Sequence, residues 1–268
     1  MAACFQPWVL AQCPPLPSTA QVLVTTVWLR AHPAAAILAV STDPGFERAH
    51  IAGANLLRRG DIKSPETLRS ALARIGVPDR ATVVLYQGDG WPIPVARAWA
   101  MFDVLGRGAA TSVLNGGFEA WLSSGGTFAK GPPPPTHPKP APQVGACSGA
   151  LVDRSFVARN LRAPRTVIVD DRLPAFFNGT AVEPGESPGH IEGALNVPFS
   201  LFADNLAGFS SRAAMASAYR LAGVHRDDDV VVYCHSGDKA AIAYLAARAL
   251  GMRVRMYLGS WRDWSASR

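Results

Sequence analysis

Short apolar runs alternate along this chain with stretches that have the composition of helices. In the second half, the runs at residues 167–169 and 230–233 consist of β-branched and aromatic residues, which predicts strands with both faces covered. The helical stretches of this half are residues 152–161, 211–221 and 240–250. Because such alternation is typical of a parallel sheet with helices on both faces, the pattern predicts an α/β fold.

Four segments of the first half recur in the second half in the same order. Residues 37–40 correspond to 167–170, 50–54 to 190–194, 83–87 to 230–234 and 114–121 to 257–264. The proline-rich segment between the halves is neither helix nor sheet interior, because proline lacks an N–H donor and fixes its own φ. The sequence therefore predicts a duplicated domain, with one copy over 15–130, a linker over 131–144 and a second copy over 145–268.

One cysteine has a setting that is typical of a nucleophile. Cys234 follows the predicted strand 230–233, and a short loop separates it from the last helix. Such a loop points backbone N–H groups inward, where they stabilise a thiolate, the reactive form of cysteine. Open α/β proteins bind their ligands at the carboxyl ends of the parallel strands, which is where Cys234 is expected to lie. The structural alternative is a cysteine that merely packs at a strand end. The predicted active-site loop comprises His235, Ser236, Gly237, Asp238, Lys239 and Ala240.

The first half lacks a cysteine and a small polar loop at the equivalent place. Gln87 occupies the repeat position of Cys234, and Pro92 and Pro94 follow it in place of a small polar loop. Only the second domain is therefore expected to perform thiolate chemistry.

Composition narrows the remaining possibilities. No apolar run reaches the roughly 18 to 20 residues that span a bilayer, and residues 1–17 lack the basic start of a secretory signal, so we expect a cytoplasmic protein without a membrane partner. Cys4, Cys13 and Cys147 form no CxxC pair, which predicts neither a zinc site nor a disulfide framework. The net charge of +6 favours small anions. Basic residues are scattered, which argues against nucleic acid.

Taken together, these motifs resemble the tandem-domain rhodanese family, the thiosulfate and 3-mercaptopyruvate sulfurtransferases. Residues 46–54 look like the family's first signature, with Ala52 at the place of its usual proline. Residues 189–199 look like the counterpart in the second half, and 259–264 like the closing signature. The resemblance covers about residues 21–264 and implies two rhodanese-like domains, each a parallel sheet flanked by helices on both faces.

The resemblance also implies a mechanism. Cys234 attacks the outer sulfur of a small anionic donor, holds it as a persulfide and passes it to cyanide, a thiol or a protein thiol. The loop N–H groups stabilise the anionic sulfur. No metal or organic cofactor is expected, and we expect a monomer. A non-turnover sulfur carrier or docking module is the alternative. A related phosphatase is disfavoured, because its loop ends in an arginine where this chain has Ala240.

The donor follows less directly from the resemblance. Ser236 and Gly237 match the loop of mercaptopyruvate enzymes, and Asp238 is expected to repel the thiosulfate dianion unless Lys239 offsets its charge. We therefore expect 3-mercaptopyruvate to be slightly preferred.

Three further residues are carried over as substrate-binding candidates. Arg172 matches an arginine that grips the donor's anionic group, with an interface salt bridge as the alternative. Asn178 occupies the place of a second such arginine, so the clamp is expected to be halved. His50 matches a histidine that pairs with the loop serine, Ser236 here, although it could equally cap a turn, as expected of its repeat counterpart His190.

Overall fold

Both halves of the chain contain the parallel sheet that the alternating pattern predicts. The computed structural model describes residues 13–90, 92–142, 147, 149–204 and 208–266. Each half forms a five-stranded sheet in which every strand pair is parallel. The predicted α/β fold is therefore confirmed.

The described part of the first half runs from β1 to β7. Its strands are β1 (Leu23–Val24), β2 (Ala36–Val40), β3 (His50–Ile51), β4 (Asn55–Leu57), β5 (Val83–Gln87), β6 (Thr111–Leu114) and β7 (Phe128–Ala129). Its helices are α1 (Thr26–Ala31), α2 (Asp43–Arg48), α3 (Pro65–Ile75), α4 (Ile93–Val104) and α5 (Gly117–Ser123), with 3₁₀ turns at Arg59–Ile62 and Gly108–Ala110. The short strands β3 and β7 form a separate antiparallel pair.

The second half repeats this plan. Its strands are β8 (Leu151–Val152), β9 (Thr166–Asp170), β10 (Leu195–Asn196), β11 (Ala203–Asp204), β12 (Gly208–Phe209), β13 (Asp229–Tyr233) and β14 (Arg253–Tyr257). Its helices are α6 (Arg154–Asn160), α7 (Pro174–Phe177), α8 (Arg212–Leu221), α9 (Ala240–Ala249) and α10 (Ser260–Ser265), with a 3₁₀ turn at Phe199–Leu201. The strands β11 and β12 form a separate antiparallel pair.

The two sheets have equivalent strand orders, and they share a core. The first is ordered β1-β6-β5-β2-β4 and the second β8-β14-β13-β9-β10. Side chains alternate between the faces of each central strand, so that Leu85 and Val232 enter one large hydrophobic cluster while Tyr86 and Tyr233 enter smaller ones on the opposite faces. Helices α3, α4, α8 and α9 contribute to the large cluster. The seam between the domains is therefore packed with apolar side chains.

Two buried tyrosines show how the repeats align. The Tyr86 hydroxyl accepts a hydrogen bond from a backbone N–H of β3 at 3.1 Å, and the Tyr233 hydroxyl accepts one from the matching His-Ile motif of the second half at 3.0 Å. The next residues along these strands are Gln87 and Cys234. The structure therefore places Gln87 at the repeat position of the cysteine.

The neighbouring strands correct one predicted match. Ala39 pairs with Tyr86 across the sheet, and Asp170 pairs with Tyr233. Ala39 is therefore the counterpart of Asp170, a position that the sequence comparison assigned to Val40. That match was wrong by one residue, because an uninterrupted apolar run contains no signal for its register.

Capping side chains define where two helices of the second half, α6 and α8, begin. The prediction of a helix from Val152 was wrong at its start, because Leu151–Val152 pairs with β14 as a strand. Asp153 accepts the N–H of Phe156 at 2.8 Å and begins α6. Ser211 caps α8 in the same way. A helix-favouring composition does not distinguish the last strand residue from the first helical one, whereas the cap does.

The proline-rich segment packs against the first domain. The N–H of Lys139 donates to the carbonyl of Ala73 at 2.9 Å, and the hydroxyl of Thr136 donates to the carbonyl of Arg74 at 3.0 Å. These carbonyls lie in the last turn of α3, where helical acceptors lack intrahelical partners. The described part of the linker therefore follows the end of α3.

Cys13 and Cys147 form a disulfide, although the sequence predicted no disulfide framework. Their separation of 134 residues explains why no local spacing indicated the pair. Cys4, residues 143–146 and residues 267–268 lie outside the described residues. The domain boundaries at 15, 130, 144 and 268 stay predictions. In the part of the chain that is described, no helix is long and apolar enough to cross a membrane.

Candidate active site

Cys234 lies directly after β13, at the carboxyl end of a central strand. Its side chain is buried, and its Sγ accepts a hydrogen bond from the N–H of Gly237 at 3.1 Å. Burial and the charge of Asp171 together raise the pKa of the Cys234 thiol to about 12, against the opposing effect of the N–H groups of Ala240, Ser236 and Gly237. Burial therefore favours the neutral thiol, whereas the loop N–H groups favour a negative charge on Sγ.

The start of α10 holds the backbone of the catalytic loop. The N–H groups of Trp261 and Arg262 donate to the carbonyls of Cys234 and His235 at 2.9 and 3.0 Å. The Ser260 hydroxyl accepts the N–H of Cys234 at 3.2 Å and lies 4.0 Å from its Sγ. The closing signature of the sequence therefore holds the loop that follows Cys234 in place.

Gly237 has a conformation and a position that other residues do not tolerate. Its φ is +86°, in the left-handed region. A Cβ at this position would lie 2.6 Å from the carbonyl oxygen of Leu258. Glycine is therefore required to turn the N–H of residue 237 toward Sγ.

Changing Gly237 to Ala is expected to lower kcat/KM by about 10² to 10³-fold, the usual cost of losing one oxyanion-hole donor. Gly193→Ala is the matched control, because Gly193 also has a positive φ of +78° but no atom near its Cβ position. Initial rates of sulfur transfer for both variants test this. Equal losses in the two variants would show that backbone strain, and not the loop N–H, causes the effect.

His235 forms a buried pair that the sequence did not indicate. Its Nδ1 lies 2.8 Å from Oε2 of Glu186, whose side chain is fully buried. The edge of the Phe176 ring meets the imidazole, with centroids 4.6 Å apart. His235 is therefore anchored to the segment before the second His-Ile motif. Glu186 lies in an irregular loop, where no periodicity could mark it.

Arg97 of the first domain reaches the catalytic loop. Its guanidinium donates to the carbonyl of Gly237 at 3.2 Å and lies 3.9 Å from Oδ1 of Asp238. The same group donates to the carbonyls of Ile62 and Lys63. Desolvation lowers the pKa of Arg97, against the charges of Asp238 and Cys234. The catalytic loop therefore lies at the seam between the domains.

A cleft of about 330 Å³ opens beside Asp238. Its charged lining comes mainly from the first domain, with Arg59, Lys63 and Arg97. Lys239 faces elsewhere, with its Nζ 5.1 Å from the centre of the Phe199 ring. Among the described residues, the ion pair of Asp238 is thus with an arginine of the first domain, and not with the neighbouring Lys239 that the sequence offered.

Arg172 is buried and fully engaged in this structure. It donates from Nε and one terminal nitrogen to the carboxylate of Asp170, with the shortest contact at 2.7 Å, and to the carbonyl of Gly189. Its guanidinium also lies 4.8 Å from the Trp261 ring centre. This is a salt bridge within the second domain, and not the one between the domains that the sequence left open as the alternative. The role of Arg172 in gripping the donor stays a prediction.

The other two substrate candidates do not reach the cysteine in this structure. Asn178 is exposed and ends α7, where its N–H donates to the carbonyl of Pro174 at 2.8 Å. His50 is buried, its ring stacks on Phe46 at 3.8 Å and its Nδ1 contacts the Phe46 carbonyl. Within the described residues, His50 has no hydrogen bond with Ser236.

His190 has the same kind of surroundings as His50, its counterpart in the first half. Its ring stacks on Phe177 at 3.8 Å, and its Nδ1 lies 2.9 Å from the Phe177 carbonyl. The two histidines thus have the same surroundings, each stacked on a phenylalanine ring and in contact with the carbonyl of that phenylalanine. This is the structural alternative that the sequence left open for His50.

The site contains no obvious metal ligands. Among the described residues, no group of three or more His, Cys, Asp or Glu side chains is arranged to hold a metal ion.

The comparison with family models identifies both domains. The rhodanese-like domain model matches residues 25–124 and again 154–267. The chain belongs to the rhodanese family. This agrees with the two equivalent sheets and with the cysteine loop of the second one.

Known rhodaneses resemble the chain over most of its length. It is 30% identical to thiosulfate sulfurtransferase of Gallus gallus, over 82% of this chain and 79% of that protein. It is 32% identical to the putative thiosulfate sulfurtransferase SseB of Mycobacterium tuberculosis, over 78% and 72% of the two chains. The crystal structure of SseA from Escherichia coli, described as a 3-mercaptopyruvate sulfotransferase, superimposes with a TM-score of 0.75 at 25% identity, covering 90% of this chain and 99% of that one. These relatives support sulfur transfer as the activity of this family member.

Proposed function

We propose that the protein transfers a sulfane sulfur from a small anionic donor to a nucleophilic acceptor through a persulfide on Cys234. The observation that carries this proposal is the contact of the Gly237 N–H with the buried Sγ of Cys234, at the end of β13. The loop can stabilise a negative charge on sulfur both before and after the sulfur is loaded. The relatives named as sulfurtransferases provide independent support.

The reaction divides into two nucleophilic displacements. Cys234 attacks the outer sulfur of the donor, and the leaving group departs with the bonding electrons. Cyanide or a thiol then attacks the outer sulfur of the persulfide and releases Cys234. Two such steps have lower barriers than one direct transfer between two anions.

Donor and acceptor assays test the proposal. Initial rates with thiosulfate and with 3-mercaptopyruvate, each with cyanide and with a dithiol, separate the enzyme from a non-turnover carrier. Repeated turnover with a small donor supports the enzyme. A single stoichiometric loading without turnover supports the carrier instead.

A cytoplasmic location and a monomeric state stay predictions.

We propose 3-mercaptopyruvate as the slightly better donor. Ser236 and Gly237 match the loop of mercaptopyruvate enzymes, and the exposed Asp238 adds negative charge near the entrance. Its pair with Arg97 spans 3.9 Å, so its charge is only partly neutralised. The preference is only slight, because two features weaken the predicted binding of the donor carboxylate. Arg172 is already paired with Asp170, and the neutral Asn178 stands where a second arginine is expected.

Two variants test the donor preference. Asp238→Val is expected to raise the rate with thiosulfate a few-fold, because it removes a repelling charge. Asn178→Arg is expected to lower the apparent KM for 3-mercaptopyruvate by about tenfold, if the new contact is a charge-assisted hydrogen bond. Steady-state kinetics with both donors provide the measurement. A wild-type preference for thiosulfate that disappears in Lys239→Ala would contradict this interpretation of the loop.

A further inference from the structure

Asp171 is a buried carboxyl group that the proposed sulfur transfer leaves without a role. It directly follows β9 and is 0% exposed. Neither of its carboxylate oxygens has a hydrogen-bond partner in the described part of the chain. A buried charge without partners is unfavourable, so this group requires either a proton or a function that compensates its cost.

The sheet places Asp171 beside Cys234. Asp170 pairs with Tyr233 in the parallel ladder, and the N–H of Asp171 continues it by donating to the Tyr233 carbonyl at 3.0 Å. Asp171 and Cys234 are therefore the next neighbouring positions, on strands that lie about 4.8 Å apart. Because side chains alternate along a strand, these two occupy the face opposite Asp170 and Tyr233.

The charged groups around Asp171 come from several elements. Asp170 and Arg172 form an ion pair with each other. Lys239, at the start of α9, is the strongest cationic influence on Asp171. Burial and the charge of Asp171 raise the pKa of Tyr219 of α8, whose hydroxyl donates to the Ala243 carbonyl.

Asp171 and Cys234 oppose each other's ionisation. Burial raises the pKa of Asp171 well above its usual range, and the charge of Asp170 adds to this effect against Lys239 and Arg172. Burial and the charge of Asp171 together raise the pKa of Cys234. Two groups coupled in this way titrate as a pair, and one negative charge in the pocket is far more favourable than two.

We propose that Asp171 and Cys234 share one proton throughout the catalytic cycle, which resides on sulfur in the free enzyme and on the Asp171 carboxyl group in the persulfide enzyme. This inference rests on the proposed function.

With thiosulfate as the donor, the steps balance without another reactant. When Cys234 attacks, its S–H bond breaks and the proton moves to a carboxylate oxygen of Asp171. The sulfur electron pair of Cys234 forms the new S–S bond, sulfite departs with the electrons of the donor's S–S bond, and the outer sulfur keeps its negative charge as a persulfide anion. When cyanide takes the outer sulfur, the electrons of the S–S bond return to Cys234, which recovers the proton from Asp171. The pocket contains one negative charge before and after each step.

Two measurements on the full-length wild-type protein test this proposal. Intact mass first establishes that excess thiosulfate adds one sulfur. In weakly buffered alkaline solution, where sulfite binds no proton, loading is expected to release no proton to solvent. Infrared difference spectra are expected to gain the carbonyl band of a protonated carboxyl group on loading. If only 3-mercaptopyruvate loads the protein, the infrared band alone is used.

Two variants show which carboxyl group gives rise to the infrared band. Asp171→Asn is expected to abolish the gain, and Asp238→Asn, which changes an exposed loop carboxylate in the same way, is expected to keep it. Release of one proton per sulfur, absence of the band in the loaded wild type, or its persistence in Asp171→Asn overturns the proposal. If Asp171→Asn does not fold, the two wild-type measurements still decide. Failure to add sulfur at all would instead refute the proposed function.

Discussion

Changing Cys234 to Ser is expected to reduce sulfur transfer by about 10⁴-fold or more, as the loss of a covalent nucleophile generally does. The hydroxyl of serine is a far weaker nucleophile than a thiolate toward sulfur, and it forms no persulfide. The Gly237 N–H that contacts Sγ at 3.1 Å would remain, but without an anion to stabilise. Initial rates with both donors measure the loss.

Intact mass shows whether Cys234 is the only residue that holds sulfur. The wild type is expected to gain one sulfur after donor treatment, and Cys234→Ser none. Cys13→Ser and Cys147→Ser remove the disulfide and serve as controls that keep the added sulfur. Cys4→Ser is a further control. An added sulfur that persists in Cys234→Ser contradicts the assignment.

The fold could be predicted because its signals are local. The apolar runs of β5 and β13 and the helical composition of α9 each lie within one element, and the repeated motifs fixed their order. The register between strands could not be predicted from such local signals. Ala39 and Val40 are both apolar, and only the ladder pairing with Tyr86 shows which one corresponds to Asp170.

The candidate nucleophile could also be predicted from a local signal. Cys234, its loop and the following helix are contiguous in sequence, so the short segment alone indicated the site. Asp171, Glu186 and Arg97 were missed for the opposite reason. Each reaches the cysteine loop through tertiary packing, from 49 or more residues away in the case of Glu186 and Arg97.

Arg172 illustrates the limit of carrying over a residue by its motif. The motif Asp-Asp-Arg places an arginine near the sheet edge, as predicted. The same motif supplies Asp170, whose carboxylate receives the guanidinium and leaves it buried. The match of a motif therefore does not show which group the arginine binds, because the same three residues also contain a carboxylate that can bind it.

A buried ion pair across the domain seam is expected to have the largest effect on stability. Asp103 of α4 accepts two hydrogen bonds from Arg248 of α9, at 2.7 and 3.0 Å, and one from the Tyr244 hydroxyl at 2.7 Å. Both charged side chains are almost completely buried. Since α9 begins at Ala240, directly after the catalytic loop, this pair also links the first domain to the helix behind the cysteine.

Asp103→Asn is expected to lower the free energy of unfolding by about 3 to 5 kcal/mol, because it leaves the Arg248 charge buried without a counter-ion. Urea unfolding of the wild type and the variant measures the loss. The double variant Asp103→Leu with Arg248→Met is expected to recover most of it, since replacing both charges by apolar groups removes their desolvation cost as well as their attraction. A loss below about 1 kcal/mol in Asp103→Asn would mean that solvent reaches the seam and screens Arg248, as at an exposed ion pair.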